Sequence, residues 1–404
     1  MLAQSPRDTA AESSRKAVGL IVVKSYRRAR SEEYSVSSIS RPAAVSDGRT
    51  LQHLRRRVAR WLVRTAFGQG RDVPGAKRLP MAGIHRILVC HVSHTLGNTL
   101  LLTPLLRELQ HIYPGAEVDV VTRSPVADEI FGGFANVRRI YRLPRHGVAV
   151  PRRLERIVRT LRAQNYDLAI DPCVCSQSDR IGVLVSRAAR KLGYVAAGKS
   201  GALSHAVAVP TDERHVGRLP VYLLRSATGH SVQAPYPSLD VGLTPAEQAQ
   251  GAELLAQLVS ARATPTSPLI GLFANATGTK HLGAAWWRRF AERLGERAPD
   301  ACIVEIVPVS GTALLDENYP TFYSSDLRRL AGVLSSLSLF VSADCGIMHL
   351  ACASGAPTVG LFSVTDASEW GPYGPRDTIF EIGERTPEQI ADAVSLPAAT
   401  AHAR

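Results

Sequence analysis

Short apolar runs alternate with amphipathic stretches from about residue 85 to the end of the chain. The apolar runs predict strands at 86–92, 118–122, 166–171, 205–209, 269–274, 302–307, 339–343 and 357–362. Helical periodicity lies between them, at 100–113, 152–164, 286–297 and 325–337. Strands that alternate with helices form parallel sheets with helices on both faces. We therefore predict an α/β protein with two Rossmann-like halves.

The same pattern divides the chain into five predicted segments. These are a basic, partly disordered extension, a first Rossmann-like domain, a connecting segment, a second Rossmann-like domain and a terminal helix with a tail. Their predicted bounds are 1–82, 83–215, 216–266, 267–385 and 386–404.

The extension contains one amphipathic helix, predicted at 51–66. Apolar residues share one face and arginines the other, and these are Leu51, Leu54, Val58, Trp61 and Leu62 against Arg56, Arg57, Arg60 and Arg64. Basic amphipathic helices lie on anionic membrane surfaces. A helix docked on the body, or a targeting segment that is removed, would have the same pattern. Residues 1–50 are rich in Ser, Arg and Ala, which predicts disorder.

Charge and cysteine spacing exclude several classes of function. The chain has 404 residues and a net charge of +13, but residues 1–80 hold 17 Lys and Arg against 6 Asp and Glu. The remainder is nearly neutral, so we expect no nucleic-acid partner. No apolar run reaches the roughly 20 residues that span a bilayer, which favours a cytoplasmic protein. The six cysteines form no CxxC pair, so we expect no metal site.

Gly97, Asn98 and Thr99 follow the first predicted strand and precede an apolar helix. Glycine permits a tight turn there, and a helix start offers free N–H groups to a ligand. The alternative is that Asn and Thr simply cap the helix. No GxGxxG motif occurs at this loop, so a nicotinamide or flavin dinucleotide site is unsupported.

Two further loops follow strands of the second half. Residues 274–281 are small and polar and include Lys280, whose ammonium suits a phosphate. Asp344, Cys345 and Gly346 lie between a strand and a helix that carries His349, so N–H groups and charge meet there. The alternatives are a solvated lysine, an N-capping aspartate and a hydrogen-bonded interior histidine. We expect both loops at one sheet edge, around a diphosphate.

Three motifs together resemble glycosyltransferase family 9, the bacterial heptosyltransferases of lipopolysaccharide synthesis. They are LGNTLLLTPLL, TGTKHLGAAWW and DCGIMHLACASGAPTVGLFSVTDASEWGP, and the resemblance covers roughly residues 85–385. It implies a GT-B fold, two Rossmann-like domains facing across a cleft. It also implies an ADP-heptose donor on the C-terminal domain, a glycolipid acceptor facing the N-terminal domain, inversion at the anomeric carbon, and neither a cofactor nor an essential metal. The donor-binding positions it implies are Thr279, Lys280, Asp344, Cys345, Gly346, Met348 and His349, with Gly97 and Thr99 in the acceptor-side loop.

The chain departs from the family pattern where a general base is expected. The family usually has Gly-Asp in the first loop, and that aspartate is the proposed base, but this chain has Gly97-Asn98. An amide cannot take a proton at neutral pH. His94, in the same loop, is a candidate substitute. Cys345 also replaces a hydroxyl residue, and Ser363 replaces a glycine.

These observations predict an inverting, metal-independent glycosyltransferase of the cytoplasm, peripheral on the inner membrane if residues 51–66 bind its anionic surface. The alternative is a catalytically impaired family member that binds a nucleotide sugar or glycan and assists assembly. A sugar epimerase would need a Tyr-xxx-Lys pair and a dinucleotide glycine loop, and neither occurs in a suitable context.

Overall fold

The computed structural model describes residues 74–75, 77–144, 151–197, 199–264, 266–276, 278–308, 312–315 and 319–397. The predicted helix 51–66 lies outside them, so its membrane contact stays a prediction. Within the described part of the chain, no helix combines the length and apolar character that crossing a bilayer requires.

The first sheet has six parallel strands in the order β3-β2-β1-β4-β5-β6. Their bounds are Arg86–Cys90 (β1), Glu117–Thr122 (β2), Val137–Arg142 (β3), Leu168–Asp171 (β4), Arg190–Val195 (β5) and His205–Ala208 (β6). Leu88 of β1 pairs with Asp119 on one side and with Ala169 on the other. The chain order therefore reverses between β1 and β4, the topological switch point where ligands of such sheets bind.

Six helices accompany this sheet. They are Leu96–Leu100 (α1), Thr103–Ile112 (α2), Ala127–Phe131 (α3), Pro151–Ala163 (α4), Gln177–Val185 (α5) and Leu219–Thr228 (α6). The helix predicted at 100–113 is confirmed as α2, and the separate short helix α1 precedes it. Pro104 lies in the first turn of α2, where its missing N–H costs no hydrogen bond.

The second sheet repeats the same topology, with the strand order β12-β11-β10-β7-β8-β9. Its strands are Leu269–Phe273 (β7), Cys302–Val307 (β8), Thr321–Tyr323 (β9), Leu339–Ala343 (β10), Thr358–Phe362 (β11) and Thr378–Glu381 (β12). All the pairings between them are parallel. The switch point of this sheet lies between β7 and β10.

The helices of the second half are Pro245–Val259 (α7), Ala284–Arg297 (α8), Leu327–Ser335 (α9), Gly346–Ala353 (α10), Ala367–Trp370 (α11) and Pro387–Ala393 (α12). A 3-10 turn, Gly278–Lys280, follows β7. Trp287 in α8 is fully buried, and Trp286 is half-buried and stacks on Phe290. Trp287 therefore belongs to the core of the second half.

The predicted connecting segment contains two helices, α6 and α7, which pack against different halves of the molecule. α6 packs against α2, β5 and β6, whereas α7 packs against α9. α7 and α9 meet backbone to backbone, since a Cβ added at Gly251 would lie only 2.1 Å from the carbonyl carbon of Gly332. The predicted domain bounds themselves stay a prediction.

The strands that the sequence pattern missed lie toward the sheet margins. β3, β9 and β12 are edge strands, and β5 lies next to the edge strand β6. In β3 every residue is half-buried or exposed, and in β12 most are exposed. An edge strand faces solvent on one side and lacks the continuous apolar run of a strand covered on both faces. The apolar-run criterion therefore finds the central strands and the edge strand β6, and misses β5 and the other three edge strands.

Candidate functional site

The switch point of the second sheet brings two of the predicted loops together. Lys280, after β7, donates from Nζ to Asp344 Oδ2, after β10, at 2.6 Å. The Lys280 side chain is 32% exposed and the Asp344 side chain 6%. Thr365 Oγ1 also donates to Asp344 Oδ2, at 2.5 Å. The expectation that both loops share one sheet edge is confirmed, and Thr365 is a partner that the sequence analysis missed.

α10 begins directly after this ion pair. Its N-cap is Cys345, in extended backbone with φ −159°, and no side chain caps the helix. The N-cap alternative for Asp344 is therefore wrong, because its carboxylate bonds Lys280 and Thr365 instead. Burial raises the pKa of the Cys345 thiol, so the neutral thiol is the form present at pH 7. Positive partial charge of the α10 N-terminus and the Lys280 ammonium thus lie at one edge.

His349 is a buried, neutral imidazole beside the ion pair. Burial lowers its pKa to about 4, against a raising effect of Asp344 and with smaller lowering effects of His215 and Lys280. Its Nδ1 is buried and has no hydrogen-bond partner among the described residues. The alternative of a fully hydrogen-bonded interior histidine is therefore wrong. Buried polar atoms are normally paired, so an unpaired one beside a charged pair indicates a place for a ligand group.

The first sheet approaches this edge through α1. A Cβ added at Gly97 would lie 3.0 Å from His349 Cδ2 and 3.7 Å from the Gly346 Cα. A Cβ added at Gly346 would lie 3.0 Å from the Cβ of Leu96. Glycine at both positions therefore permits the close approach of α1 and α10. Loops from the two sheets meet at one place.

The remaining residues of the first loop are placed as follows. The N-cap of α1 is Thr95, so the capping alternative for Gly97, Asn98 and Thr99 is wrong. Thr99 is buried, and its Oγ1 lies 2.8 Å from both the Thr95 carbonyl oxygen and Ser124 Oγ. The Asn98 side-chain amide and the exposed His94 ring make no hydrogen bond within the described part of the chain.

Two of the residues predicted to bind the donor lie away from the pair of Lys280 and Asp344. Thr279 lies exposed in the 3-10 turn beside Lys280. Met348 is fully buried against Phe362 and Ala367, beneath the loop. Of the predicted donor-side residues, the structure thus gathers Lys280, Asp344, Cys345, Gly346 and His349 at the meeting of the two sheets.

Two Rossmann-like sheets that face each other at their ligand-binding edges define a GT-B glycosyltransferase fold. Solved structures support this assignment. The chain resembles a family 9 glycosyl transferase from Veillonella parvula with a TM-score of 0.61 and 18% identity, covering 73% of this chain and 85% of that one. It also resembles E. coli heptosyltransferase WaaC with ADP, with a TM-score of 0.54 and 20% identity, covering 76% of this chain and 97% of that one. A third similar structure is E. coli ADP-heptose lps heptosyltransferase II, with a TM-score of 0.59 and 16% identity, covering 76% of this chain and 96% of that one.

The chain belongs to glycosyltransferase family 9 (heptosyltransferase), whose family model matches residues 154–393. A curated relative, lipopolysaccharide heptosyltransferase 1 of Pseudomonas aeruginosa, is 34% identical over 120 residues. That match covers 28% of this chain, and the chain spans about a third of the relative (34%). The predicted family and fold class are confirmed.

Proposed function

We propose that the protein transfers a heptose from ADP-heptose to the lipopolysaccharide core or a related surface glycan, with inversion at the anomeric carbon. Family membership supports sugar transfer. E. coli WaaC is described with ADP and, in a further structure, with ADP-2-deoxy-2-fluoro heptose. The Pseudomonas relative is a lipopolysaccharide heptosyltransferase, which supports the acceptor class.

The observation that carries the proposal is the contact between Lys280 and Asp344 at the start of α10. The Lys280 ammonium has three N–H donors, and the Asp344 pair occupies one. The others, with the N–H groups that open α10, bind the donor diphosphate and stabilise the negative charge that develops on the leaving group. These groups supply positive charge from the protein itself, which supports transfer without a metal at the diphosphate.

Asp344 and His349 bind the sugar in this proposal. An ionised carboxylate accepts hydrogen bonds and therefore suits sugar hydroxyls. The unpaired Nδ1 of the neutral His349 gives the donor one further hydrogen-bond partner. Met348 packs beneath the loop and holds its shape.

The acceptor approaches from the first sheet, beside the 91–99 loop. Its hydroxyl oxygen forms a bond to the anomeric carbon while the bond from that carbon to the diphosphate oxygen breaks, so a single displacement inverts the centre. Asn98 positions the hydroxyl but cannot take its proton. His94, exposed and without a hydrogen bond in the described residues, is the proposed proton acceptor.

The amphipathic helix predicted at 51–66 is proposed to hold the protein on the anionic inner leaflet, near its glycolipid acceptor. Each well-placed arginine adds about 1 kcal/mol of attraction to such a surface. Co-sedimentation with anionic vesicles checks this contact, because binding that is unchanged without residues 1–66 would assign the helix to the protein body instead.

The second candidate is a catalytically impaired member that binds a nucleotide sugar or glycan and serves assembly. Asn98 at the position of the expected carboxylate favours it. Such a protein would bind the donor and release no product with any acceptor.

A thermal-shift screen of nucleoside diphosphates and their sugars, followed by a product assay, separates the two candidates. A ligand at 100 times its dissociation constant stabilises the fold by about 2.7 kcal/mol. We expect selective stabilisation by ADP and ADP-heptose, release of ADP with a heptose-deficient lipopolysaccharide, and inverted anomeric stereochemistry by NMR. Binding without product supports the second candidate, and no response to any nucleotide contradicts both.

A further inference from the structure

Three side chains from separate elements converge at the switch point of the first sheet. His91 follows β1, Cys173 follows β4, and Asp179 lies in the first turn of α5. One ligand atom from each lies within 4.8 Å of the other two, and His91 Nδ1 lies 3.2 Å from Cys173 Sγ. Closely spaced cysteines are the usual sequence pattern of a metal site, but these three residues come from distant parts of the chain and leave no such pattern.

The hydrogen bonds of His91 fix which ring nitrogen faces the cluster. Its Nε2 lies 3.0 Å from the backbone oxygen of Asn98. A carbonyl oxygen only accepts, so Nε2 carries the hydrogen and Nδ1 presents a lone pair to Cys173. Metal-binding histidines commonly donate their other ring N–H to a carbonyl or carboxylate, which holds the ring in place.

The carboxylate of Asp179 is also held in place. It is 1% exposed, and its Oδ1 accepts from the backbone N–H of Val92 at 2.8 Å. The same side chain still offers lone pairs to a cation, because each carboxylate oxygen has two. Cys173 is only half-buried and leaves the cluster accessible from its side.

The neighbouring carboxylate, Asp171, is already occupied. Arg180 Nε donates to its Oδ2 at 2.8 Å, and Lys199 Nζ lies 2.6 Å from the same oxygen. Lys199 also donates to the backbone oxygen of Cys173, which anchors the segment that carries the thiol. The available ligands are thus the imidazole, the thiol and the Asp179 carboxylate.

We propose that His91 Nδ1, Cys173 Sγ and the Asp179 carboxylate bind a divalent transition metal of the Zn²⁺ class. Zinc takes nitrogen, sulfur and oxygen ligands at about 2.0–2.3 Å in a tetrahedron, which places ligand atoms roughly 3.5 Å apart. A thiolate ligand disfavours Ca²⁺ and Mg²⁺, which prefer oxygen. The fourth position remains for water. The thiol proton of Cys173 passes to solvent as the bond between Sγ and the metal forms.

This metal has a structural role in the proposal. Its ligands join β1, β4 and α5, and the His91 ring holds the backbone of Asn98. It therefore fixes the acceptor-side loop, whereas Lys280 serves the diphosphate at the other sheet. The inference is independent of the proposed transfer reaction, because metal binding at this cluster is measured without any substrate.

Cobalt titration of the chelator-treated full-length chain tests the site. We expect one equivalent of Co²⁺ to produce the thiolate-to-cobalt charge-transfer absorption and the visible bands of a tetrahedral complex. Cys173→Ser abolishes the charge-transfer band, whereas Cys175→Ser, a change at an exposed cysteine two residues away, retains it. Asp179→Asn, which still accepts from Val92, lowers Co²⁺ affinity by at least the roughly 10- to 100-fold that loss of a supporting partner costs.

A second measurement needs no variant. Zn²⁺ slows alkylation of Cys173 in the unmodified chain and leaves alkylation of Cys175 unchanged, as followed by peptide mass spectrometry. Absence of a charge-transfer band in the unmodified protein overturns the proposal. A band that persists in Cys173→Ser, or equal alkylation of Cys173 with and without Zn²⁺, overturns it as well.

Discussion

The two sheets share one strand order but differ in how charge is arranged at their switch points. In the first sheet, Asp171 is bound by Arg180 and Lys199, and all three side chains are at most 2% exposed. In the second sheet, Asp344 pairs with Lys280 at a site that remains partly open to solvent. The same topology thus holds a closed ionic cluster on one side and an accessible ion pair on the other.

The two switch points occupy the same position in their sheets, but the closed cluster serves the structure and the accessible ion pair can bind a ligand. A buried ion cluster is stable only while every charge keeps its partner, so its cations are unavailable to a ligand. An accessible ammonium such as that of Lys280 can replace its hydrogen bonds to water with hydrogen bonds to a phosphate. The comparison therefore assigns diphosphate binding to the second sheet and loop positioning to the first.

The largest expected effect is on stability, from Lys199→Ala. Removing one partner from a buried ionic cluster costs about 3–5 kcal/mol of unfolding free energy. Urea denaturation measures the loss. The exposed pair Arg293–Asp392 supplies the control, because solvent-exposed ion pairs contribute little and Arg293→Ala should leave stability nearly unchanged. Equal stability of the Lys199→Ala and control variants would show that the buried cluster at the first switch point has no special structural role.

Lys280→Ala should affect turnover more than folding. Loss of one preorganised charge at a developing anion lowers the rate by roughly 100- to 1,000-fold, about 3–4 kcal/mol. We expect kcat/KM with ADP-heptose to fall by that factor, while Arg293→Ala retains normal turnover. Unchanged donor affinity and turnover in Lys280→Ala would exclude this lysine from the diphosphate site.

Acid should destabilise the fold through His215 and His349. Burial is the main cause that lowers both pKa values to about 4 from an ordinary value of 6.5. The folded state therefore binds fewer protons than the unfolded state, and stability falls as the pH decreases from 6.5 to 4. The full loss is roughly 3 kcal/mol for each imidazole.

Urea unfolding at a series of pH values checks this, with His349→Gln as the test and His94→Gln as the exposed control. The His349 variant should lose less stability in acid than the unmodified protein, and the control should behave normally. The same acid dependence in all three proteins would contradict the assignment to His349.

The smallest expected change follows Asn98→Asp. If a carboxylate there can act as general base, turnover is retained or rises by no more than roughly tenfold. Steady-state kinetics against pH measure it, with Asn98→Ala as the control that lacks both amide and carboxylate. A sharp fall in the Asp variant would indicate another proton acceptor, and His94→Gln would then identify or exclude His94.

The sequence predicted the central strands of both sheets and the meeting of Lys280 with Asp344. Both predictions rest on local patterns, since buried parallel strands are apolar and their carboxyl ends share one edge. The margins were missed because β3 and β12 lack an apolar run. The cluster of His91, Cys173 and Asp179 was missed because only tertiary pairing of β1 with β4 brings it together.

The glycine contact between α7 and α9 belongs to a junction that also reaches the first half. Besides the Gly251–Gly332 approach, Arg328 of α9 donates to Glu247 Oε2 at 2.7 Å and to the Val241 carbonyl at 3.1 Å. The same guanidinium donates to the Glu129 carbonyl of α3, in the first half, at 2.9 Å. Arg328 therefore joins the two halves at one guanidinium, and any movement that carries α3 away from α9 must break its hydrogen bond to Glu129.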